Sequence, residues 1–202
     1  MPSIYGLKPA FQKLLRPLVG GLVRMGVVPN HVTWAALLLS CAVGAVVALR
    51  PEARWPLLLL PGTLLVRMAL NALDGMMARE HDLKTTTGLF LNELGDVLAD
   101  AALYLPLSLR PDFPPLLVVP IAVLAVVSEM AGVVAVQAGA SRRYDGPMGK
   151  SDRAFVFGAV ALALGLGAPA GTWLTVLLAI VLALVAATIW NRARKALAEI
   201  AA

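Results

Sequence analysis

The sequence predicts an all-α integral membrane protein, in which six transmembrane helices follow an N-terminal amphipathic interfacial helix. Three observations indicate this fold class. The 202 residues are 59% hydrophobic and only 14% charged, whereas soluble domains are about half apolar and about a quarter charged. Apolar stretches close to membrane-spanning length recur along the chain. Lysine and arginine are concentrated in alternate loops, which is typical of cytoplasmic loops in membrane proteins.

Residues 9–26 have the pattern of a helix that lies in the membrane surface. Apolar side chains recur there at helical spacing, while three basic side chains share another face. The apolar set is Phe11, Leu14, Leu15, Leu18 and Leu22, and the basic set is Lys13, Arg16 and Arg24. A loop packed on the protein is the alternative.

Crossing the hydrocarbon core takes about 20 apolar residues in a helix. Six stretches approach this length: 32–49, 54–73, 88–109, 113–138, 153–168 and 171–190. The connections are short and no internal repeat is visible, which argues against a transporter built from two halves. We therefore expect a single domain over 1–202, with an amphipathic segment 1–31, a bundle 32–190 and a cytoplasmic tail 191–202.

The basic residues predict the orientation. An even number of spans puts both termini on one side, and that side holds 13 of the 17 lysine and arginine residues. The other side holds 3, which are Arg50, Arg54 and Arg110, and Arg67 lies within the second span. Because cytoplasmic loops carry the excess of basic residues, both termini are expected in the cytoplasm.

Polar residues between positions 71 and 100 predict the functional site. Asn92, Asp96 and Asp100 recur every four residues and therefore share one face of the third span. Asn71 and Asp74 share a face at the end of the second span. If these spans are antiparallel neighbours, the two faces meet. Charged groups inside a bilayer need a partner, water or a metal, so a polar cluster is expected there.

The residue types in this cluster suit a hard cation and a phosphate. Aspartate and asparagine oxygens are the ligands that Mg²⁺, Mn²⁺ and Ca²⁺ prefer. The two histidines, His31 and His81, lie in different loops, so no zinc set is present. Gly75 leaves room for a ligand at the backbone, and Arg79 offers a fork of donors that matches a phosphate.

This stretch resembles the motif D-x-x-D-G-x-x-A-R-x8-G-x-x-x-D-x-x-x-D of the CDP-alcohol phosphatidyltransferases. Six of its eight fixed positions agree, and asparagine replaces the first and third aspartates. The positions are Asn71, Asp74, Gly75, Ala78, Arg79, Gly88, Asn92 and Asp96. Residues 28–33, with Asn30 and Thr33, also resemble the P-N-x-x-T that introduces the first span in many members.

The resemblance implies a reaction in which a phosphatidyl group passes from CDP-diacylglycerol to an alcohol, with release of CMP. It implies that Mg²⁺ or Mn²⁺ is held at Asn71, Asp74, Asn92 and Asp96, with Asp96 also acting as the base. It implies CDP binding by Gly75, Ala78, Arg79, Asn30 and Thr33. It further implies a homodimer in a prokaryotic-type inner membrane. Membrane lipids and a small polar alcohol would be partners, and the chain is too apolar for nucleic acid to be one.

Asn71 and Asn92 depart from the family pattern, because an asparagine oxygen can coordinate a cation but brings no charge. Three interpretations remain open. The enzyme works with one metal or with weakly bound metal; Glu93 or Asp100 supplies a missing carboxylate; or the chain binds CDP-lipid or nucleotide without turnover.

Residues 141–153 contain Arg142, Arg143, Lys150 and Arg153. These side chains either contact anionic headgroups or form an acceptor-phosphate pocket beside the site. The second interpretation favours a phosphorylated polyol, without choosing between inositol phosphate and glycerol phosphate. Glu129 lies in the apolar fourth span and must be paired, protonated or facing a cavity, with Arg67 as a candidate partner.

Overall fold

The structure is a computed structural model that describes residues 8–201. Over these residues the chain forms seven α-helices, and a 3₁₀ helix at Leu105–Leu109 separates α4 from α5. The helices are α1 (Lys8–Arg24), α2 (Pro29–Leu49), α3 (Trp55–Glu80), α4 (Thr86–Tyr104), α5 (Pro115–Gln137), α6 (Lys150–Gly165) and α7 (Thr172–Ile200). Residues 1–7 of the predicted amphipathic segment lie outside the described residues.

The prediction of an all-α membrane bundle is confirmed, since α2 to α7 coincide with the six predicted spans. Within residues 8–201, four helices are long and apolar enough to cross a membrane, namely α2, α3, α5 and α7. The predicted number of six is therefore not matched by this measure. Helix α6 has only 16 residues, and α4 contains the carboxylates Glu93, Asp96 and Asp100.

Several predicted boundaries differ from the structure. Helix α3 continues to Glu80, seven residues past the predicted end at 73, and α6 covers Lys150–Gly165 where 153–168 was predicted. The last helix continues to Ile200, so the predicted cytoplasmic tail 191–202 is largely the end of α7. Its charged side chains, including the buried Arg192, are therefore held by a helix. The third predicted span ends as the 3₁₀ helix because Pro106 has no backbone N–H to continue α4.

Helix α1 lies against α3. Val19 is buried against Leu73 and Met77, and α1 also contacts α3 through an ion pair between Arg16 and Glu80 at 2.8 Å. Leu14 and Leu18 are 74% and 55% exposed. One apolar side of α1 thus packs on the protein and another stays uncovered, as expected for a helix at a membrane surface.

The two helices of the motif, α3 and α4, both pack against α2. Helices α2 and α4 approach backbone to backbone at Gly44, where an added Cβ would lie 1.9 Å from the carbonyl oxygen of Ala102. Any larger residue at this position would push the two helices apart. Helices α3 and α4 meet mainly through long polar side chains, which leaves space between them at the end that carries the motif.

The hydrophobic core lies deeper in the bundle and contains side chains from every helix from α2 to α7. Tyr104 at the end of α4 stacks on Phe157 of α6 with 4.5 Å between ring centroids. Helix α6 packs on α3, and α5 packs on α7. This arrangement brings polar side chains of α3, α4, α5, α6 and α7 together just above the apolar core.

Candidate functional site

A cavity of about 650 Å³ lies between the start of α2, the end of α3 and the start of α4. It is lined by motif residues from both α3 and α4 and by the two residues predicted at the start of the first span. These are Asn30, Thr33, Asp74, Gly75, Ala78, Arg79, Gly88 and Asn92. The structure therefore brings together every residue predicted to hold CDP, together with Asp74 and Asn92 of the predicted metal set.

Asp74 is buried in the wall of this cavity, and only 4% of it is exposed. Its Oδ2 accepts a hydrogen bond of 2.9 Å from Oγ1 of Thr33. The contact fixes the orientation of the Asp74 carboxylate and joins α2 to α3. Asp74 also lies within electrostatic reach of Asp96 and Lys150.

The opposite wall is the first turn of α4. Thr85 caps this helix, since its Oγ1 accepts a 2.9 Å hydrogen bond from the backbone N–H of Gly88. An added Cβ at Gly88 would lie 2.7 Å from Oδ1 of Asn30. Glycine therefore lets the side chains of Asn30 and Thr85 lie close to the backbone of α4. The positive end of the α4 dipole faces the cavity, which favours an anionic ligand.

The guanidinium of Arg79 lies over the backbone of Gly75, where an added Cβ would be 3.2 Å from Arg79 Nη2. A cation is thereby placed against a stretch of bare backbone inside the cavity. This combination suits a diphosphate, because the guanidinium donates hydrogen bonds to its oxygens and the missing side chain of Gly75 leaves room for it beside α3.

Asp96 stands between this cavity and the start of α6. Its Oδ1 accepts a 2.8 Å hydrogen bond from Nδ2 of Asn71 and forms an ion pair with Nζ of Lys150. Its backbone carbonyl accepts a 2.9 Å hydrogen bond from Arg67. About a quarter of the Asp96 side chain is exposed, at 26%. The carboxylate is thus oriented by α3 and α6 and remains accessible to a small molecule.

The oxygen donors at the site fit one hard cation better than two. Asp74 and Asp96 are the carboxylates of the motif, and the amide of Asn71 donates to Asp96. Among residues 8–201 there is no group of three histidine, cysteine, aspartate or glutamate side chains that could hold a metal ion. A cation here would therefore depend on two carboxylates supplemented by amide oxygens.

A buried ion network lies one helical turn deeper, centred on Asp100. Arg67 Nη1 pairs with one oxygen of Asp100, and Arg153 Nη2 pairs with the other at 2.9 Å. All three residues are at most 5% exposed. The expected pairing of Arg67 with Glu129 is wrong, because Arg67 faces α4 and pairs with Asp100 and Asp96.

Glu129 of α5 extends the network towards the loop between α5 and α6. Its carboxylate lies 3.4 Å from Arg192, 3.5 Å from Arg153 and 3.8 Å from Arg142. Arg142 also pairs with Glu93 at 2.7 Å. Charges therefore alternate from α3 through α4, α6 and α5 to the loop and α7, so each buried charge has an opposite neighbour.

Sequence reasoning missed Arg192 and did not identify the partners of Glu129. Arg192 was assigned to the tail because hydropathy falls after position 190. The available signal was its spacing of four residues from Thr188, which puts both polar groups on the buried face of α7.

The four predicted acceptor-phosphate residues are not all in one place. Lys150 pairs with Asp96, while Arg142 and Arg153 pair with Glu129. Arg143 instead pairs with Asp145 at 2.7 Å and with Glu199 at 2.6 Å. Its role is to connect the loop to the end of α7, and the prediction that it belongs to the acceptor site is not supported by its contacts.

Asp145 ties this loop to α7. Its carboxylate contacts Lys195 at 2.6 Å and Arg143 at 2.7 Å. Burial raises the pKa of Asp145, but the hydrogen bonds from Lys195 and Arg143 outweigh it, and the pKa is lowered. A lowered pKa means that this stabilisation is complete above the ordinary aspartate pKa and is lost as the pH falls through the lowered value.

We expect Asp145→Asn to loosen the loop at neutral pH. Hydrogen exchange of the amides at 141–149 should accelerate about two- to fivefold, since exposed ion pairs contribute at most about 1 kcal/mol. After correction for intrinsic rates, the difference from the parent protein should vanish below the lowered pKa. Asp112→Asn at the other end of the molecule is the matched control. Equal hydrogen-exchange rates in parent and variant at pH 7 would contradict the conclusion that the ion pairs of Asp145 hold this loop against α7.

Comparison with known proteins gives three consistent results. A family model described as CDP-alcohol phosphatidyltransferase matches residues 26–190. The inner membrane protein YnbA of Escherichia coli (strain K12) is 43% identical over 197 residues, which cover 96% of each chain. Two crystal structures of Mycobacterium tuberculosis phosphatidylinositol phosphate synthase PgsA1 share the fold.

The first of these, with CDP-DAG bound, has a TM-score of 0.73 at 21% identity and covers 93% of this chain and 94% of PgsA1. The second, in complex with manganese and citrate, has a TM-score of 0.70 at 22% identity, with coverages of 90% and 88%. At this level of identity the two structures establish the common fold.

Proposed function

Because the chain belongs to the CDP-alcohol phosphatidyltransferase family, we propose that it transfers a phosphatidyl group from CDP-diacylglycerol to an alcohol and releases CMP. The observation that carries this proposal is the convergence of the motif residues of α3 and α4 on one cavity, with the accessible carboxylate of Asp96 beside it. The cavity volume of about 650 Å³ is in the range of small-molecule sites.

The reaction forms one bond between the acceptor oxygen and the phosphatidyl phosphorus and breaks the bond from that phosphorus to the CMP oxygen. Asp96 takes the proton of the acceptor hydroxyl, so that the attacking oxygen does not acquire a positive charge as the bond to phosphorus forms. Lys150 and Asn71 hold the Asp96 carboxylate in its orientation. General-base assistance of this kind contributes about 10²–10⁴-fold to the rate.

The donor is held by the cavity. Arg79 binds the diphosphate in the space that Gly75 leaves open, and Asn30 and Thr33 form the part of the wall contributed by α2. The CMP that leaves carries additional negative charge on its phosphate, which Arg79 and the α4 dipole stabilise. The diacylglycerol part stays at the membrane, because the cavity is formed by membrane helices.

We further propose that one divalent cation, Mg²⁺ or Mn²⁺, binds at Asp74 and Asp96 with amide oxygens of Asn71 and Asn92. When bound, the cation would neutralise charge on the diphosphate of the donor. The donor set supports one site of modest affinity, because two of the four family aspartates are uncharged asparagines here.

Restoring these charges should tighten metal binding. We expect Asn71→Asp together with Asn92→Asp to lower the Kd for Mn²⁺ by about tenfold or more, since each added carboxylate increases the attraction for a hard cation. Binding is measured by electron paramagnetic resonance titration of free Mn²⁺, without reference to turnover. Asn191→Asp is the matched control on α7. An unchanged Kd would show that the two asparagines do not face the cation.

A second candidate function is favoured by the same two asparagines: a relative that binds CDP-lipid or nucleotide without turnover. The discriminating experiment is CMP release from CDP-diacylglycerol by the purified protein with Mg²⁺ or Mn²⁺ and a panel of acceptors. Release that requires both metal and one acceptor supports the transferase. Binding of CDP-diacylglycerol without release for any acceptor supports the binding protein.

The four apolar helices make this an integral membrane protein, and we propose that it lies in the inner membrane with both termini in the cytoplasm. The basic loops support this orientation, and the relative YnbA is named an inner membrane protein. A homodimer and a phosphorylated polyol acceptor stay predictions from the sequence.

A further inference from the structure

The accessible groups around Asp96 are mixed in charge. Partly exposed side chains here are Glu93 at 32%, Asp96 at 26%, Lys150 at 25%, Arg142 at 20% and Glu129 at 15%. Three are carboxylates and two are cations, so these five side chains together have a formal charge of −1. The basic residues of 141–153 therefore do not make the surface around Asp96 positively charged.

The remaining arginines of the cluster lie below this surface. Arg153 and Arg192 are 0% and 2% exposed. Arg153 already pairs with Asp100 at 2.9 Å and lies 3.5 Å from Glu129. A ligand could reach these guanidinium groups only by displacing carboxylates that belong to the protein.

Glu129 occupies the position that an anion would take. Three guanidinium groups converge on its carboxylate, those of Arg192, Arg153 and Arg142, at 3.4, 3.5 and 3.8 Å. The side chain comes from α5, an otherwise apolar helix, so a charge at this depth needs this compensation. The Glu129 carboxylate is therefore the anion that these three arginines bind.

A phosphate monoester carries about two negative charges near neutral pH. Placed beside Asp96, it would meet Glu93 and Glu129 while the arginines are already paired. Hydroxyl groups fit the same surface well, because they donate to carboxylates and accept from guanidinium.

We propose that the acceptor is a small alcohol without net negative charge, and that Glu129 determines this preference. The inference rests on the proposed function and narrows its substrate class to uncharged polyols and amino alcohols. It replaces the phosphorylated acceptor that the basic residues of the sequence suggested. Asp96 has the same role for either acceptor class.

The first test is an acceptor panel in the CMP-release assay. Free glycerol, free inositol, serine and ethanolamine are compared with glycerol 3-phosphate and inositol phosphate at equal concentrations. We expect release with at least one member of the first group and at least tenfold less with every phosphorylated acceptor. Release that requires a phosphorylated acceptor would overturn the inference and leave the proposed transferase intact.

The second test does not depend on turnover and uses inorganic phosphate and glycerol 3-phosphate as probes. Glu129→Gln keeps the shape of the side chain and removes its negative charge. One positive charge of the three guanidinium groups is then no longer compensated. We expect phosphate binding, measured by titration calorimetry, to strengthen about tenfold or more relative to the parent protein. Glu52→Gln, an exposed residue between α2 and α3, is the matched control.

The two tests separate the possible failures. If no acceptor supports CMP release, the transferase proposal fails, while the phosphate titration still tests the charge argument. Strong binding of glycerol 3-phosphate by the parent protein, weakened in Glu129→Gln, would overturn the inference whether or not the protein turns over. Weak binding in the parent that strengthens in the variant supports it.

Discussion

Asp96→Asn is expected to reduce CMP release from CDP-diacylglycerol by about 10²–10⁴-fold, the usual contribution of a general base. Asparagine retains the shape of the side chain but cannot take the acceptor proton. It also removes the negative partner of Lys150. The measurement is the initial rate of CMP release at saturating donor, with the same acceptor and metal for both proteins.

The control for this prediction is Asp82→Asn, which makes the same chemical change in the loop before α4. Asp82 is exposed and has a φ of 54°, a conformation that asparagine also adopts readily. We expect its rate to stay near that of the parent. Binding of CDP-diacylglycerol, measured without divalent metal, should persist in Asp96→Asn, because Asp96 is not among the residues that line the donor cavity. A rate within threefold of the parent would remove Asp96 from the role of base.

Arg153→Leu is expected to have the largest effect on stability. It leaves Asp100 with Arg67 alone and takes one cation from Glu129, in a region where Arg153 itself is 0% exposed. Removing one partner from a buried ion pair costs about 3–5 kcal/mol. For a chain of this size, this corresponds to a fall in Tm of about 10 °C. The measurement is thermal unfolding of the purified protein in detergent.

Two variants make this result interpretable. Arg153→Lys keeps the charge but loses the fork that reaches both Asp100 and Glu129, so a smaller loss of stability is expected. Arg50→Leu removes an exposed arginine at the end of α2 and should leave the Tm nearly unchanged. A small effect of Arg153→Leu would mean that water compensates the two carboxylates and that the network contributes little to stability.

Sequence reasoning went furthest where the information is local. Long apolar stretches predicted the membrane helices, because a helix in lipid satisfies its own backbone hydrogen bonds without help from its neighbours. The spacing of Asn71 and Asp74, and of Asn92 and Asp96, predicted that each pair shares a helix face. These predictions needed only the periodicity of the helix and the cost of a charge in hydrocarbon.

Residues three and four apart share a helix face, and six motif residues of α3 and α4 line the cavity: Asp74, Gly75, Ala78, Arg79, Gly88 and Asn92. Asn71 and Asp96 of the same motif are not among its lining residues. The ends of the helices were predicted less accurately. Helix α7 continues through 191–200 because Arg192 and Lys195 find partners in the loop before α6, and hydropathy alone gives no sign of those partners.

By itself, therefore, the sequence determined the all-helical class, the family motif and the two helices that carry the site. Only the tertiary structure decided which charges meet: Lys150 with Asp96, Arg67 with Asp100, and Glu129 with three arginines. The physical reason is that an ion pair between helices depends on their order, rotation and depth in the bundle. Residues 13 to 63 positions apart were brought together, and no periodicity within one helix encodes that choice.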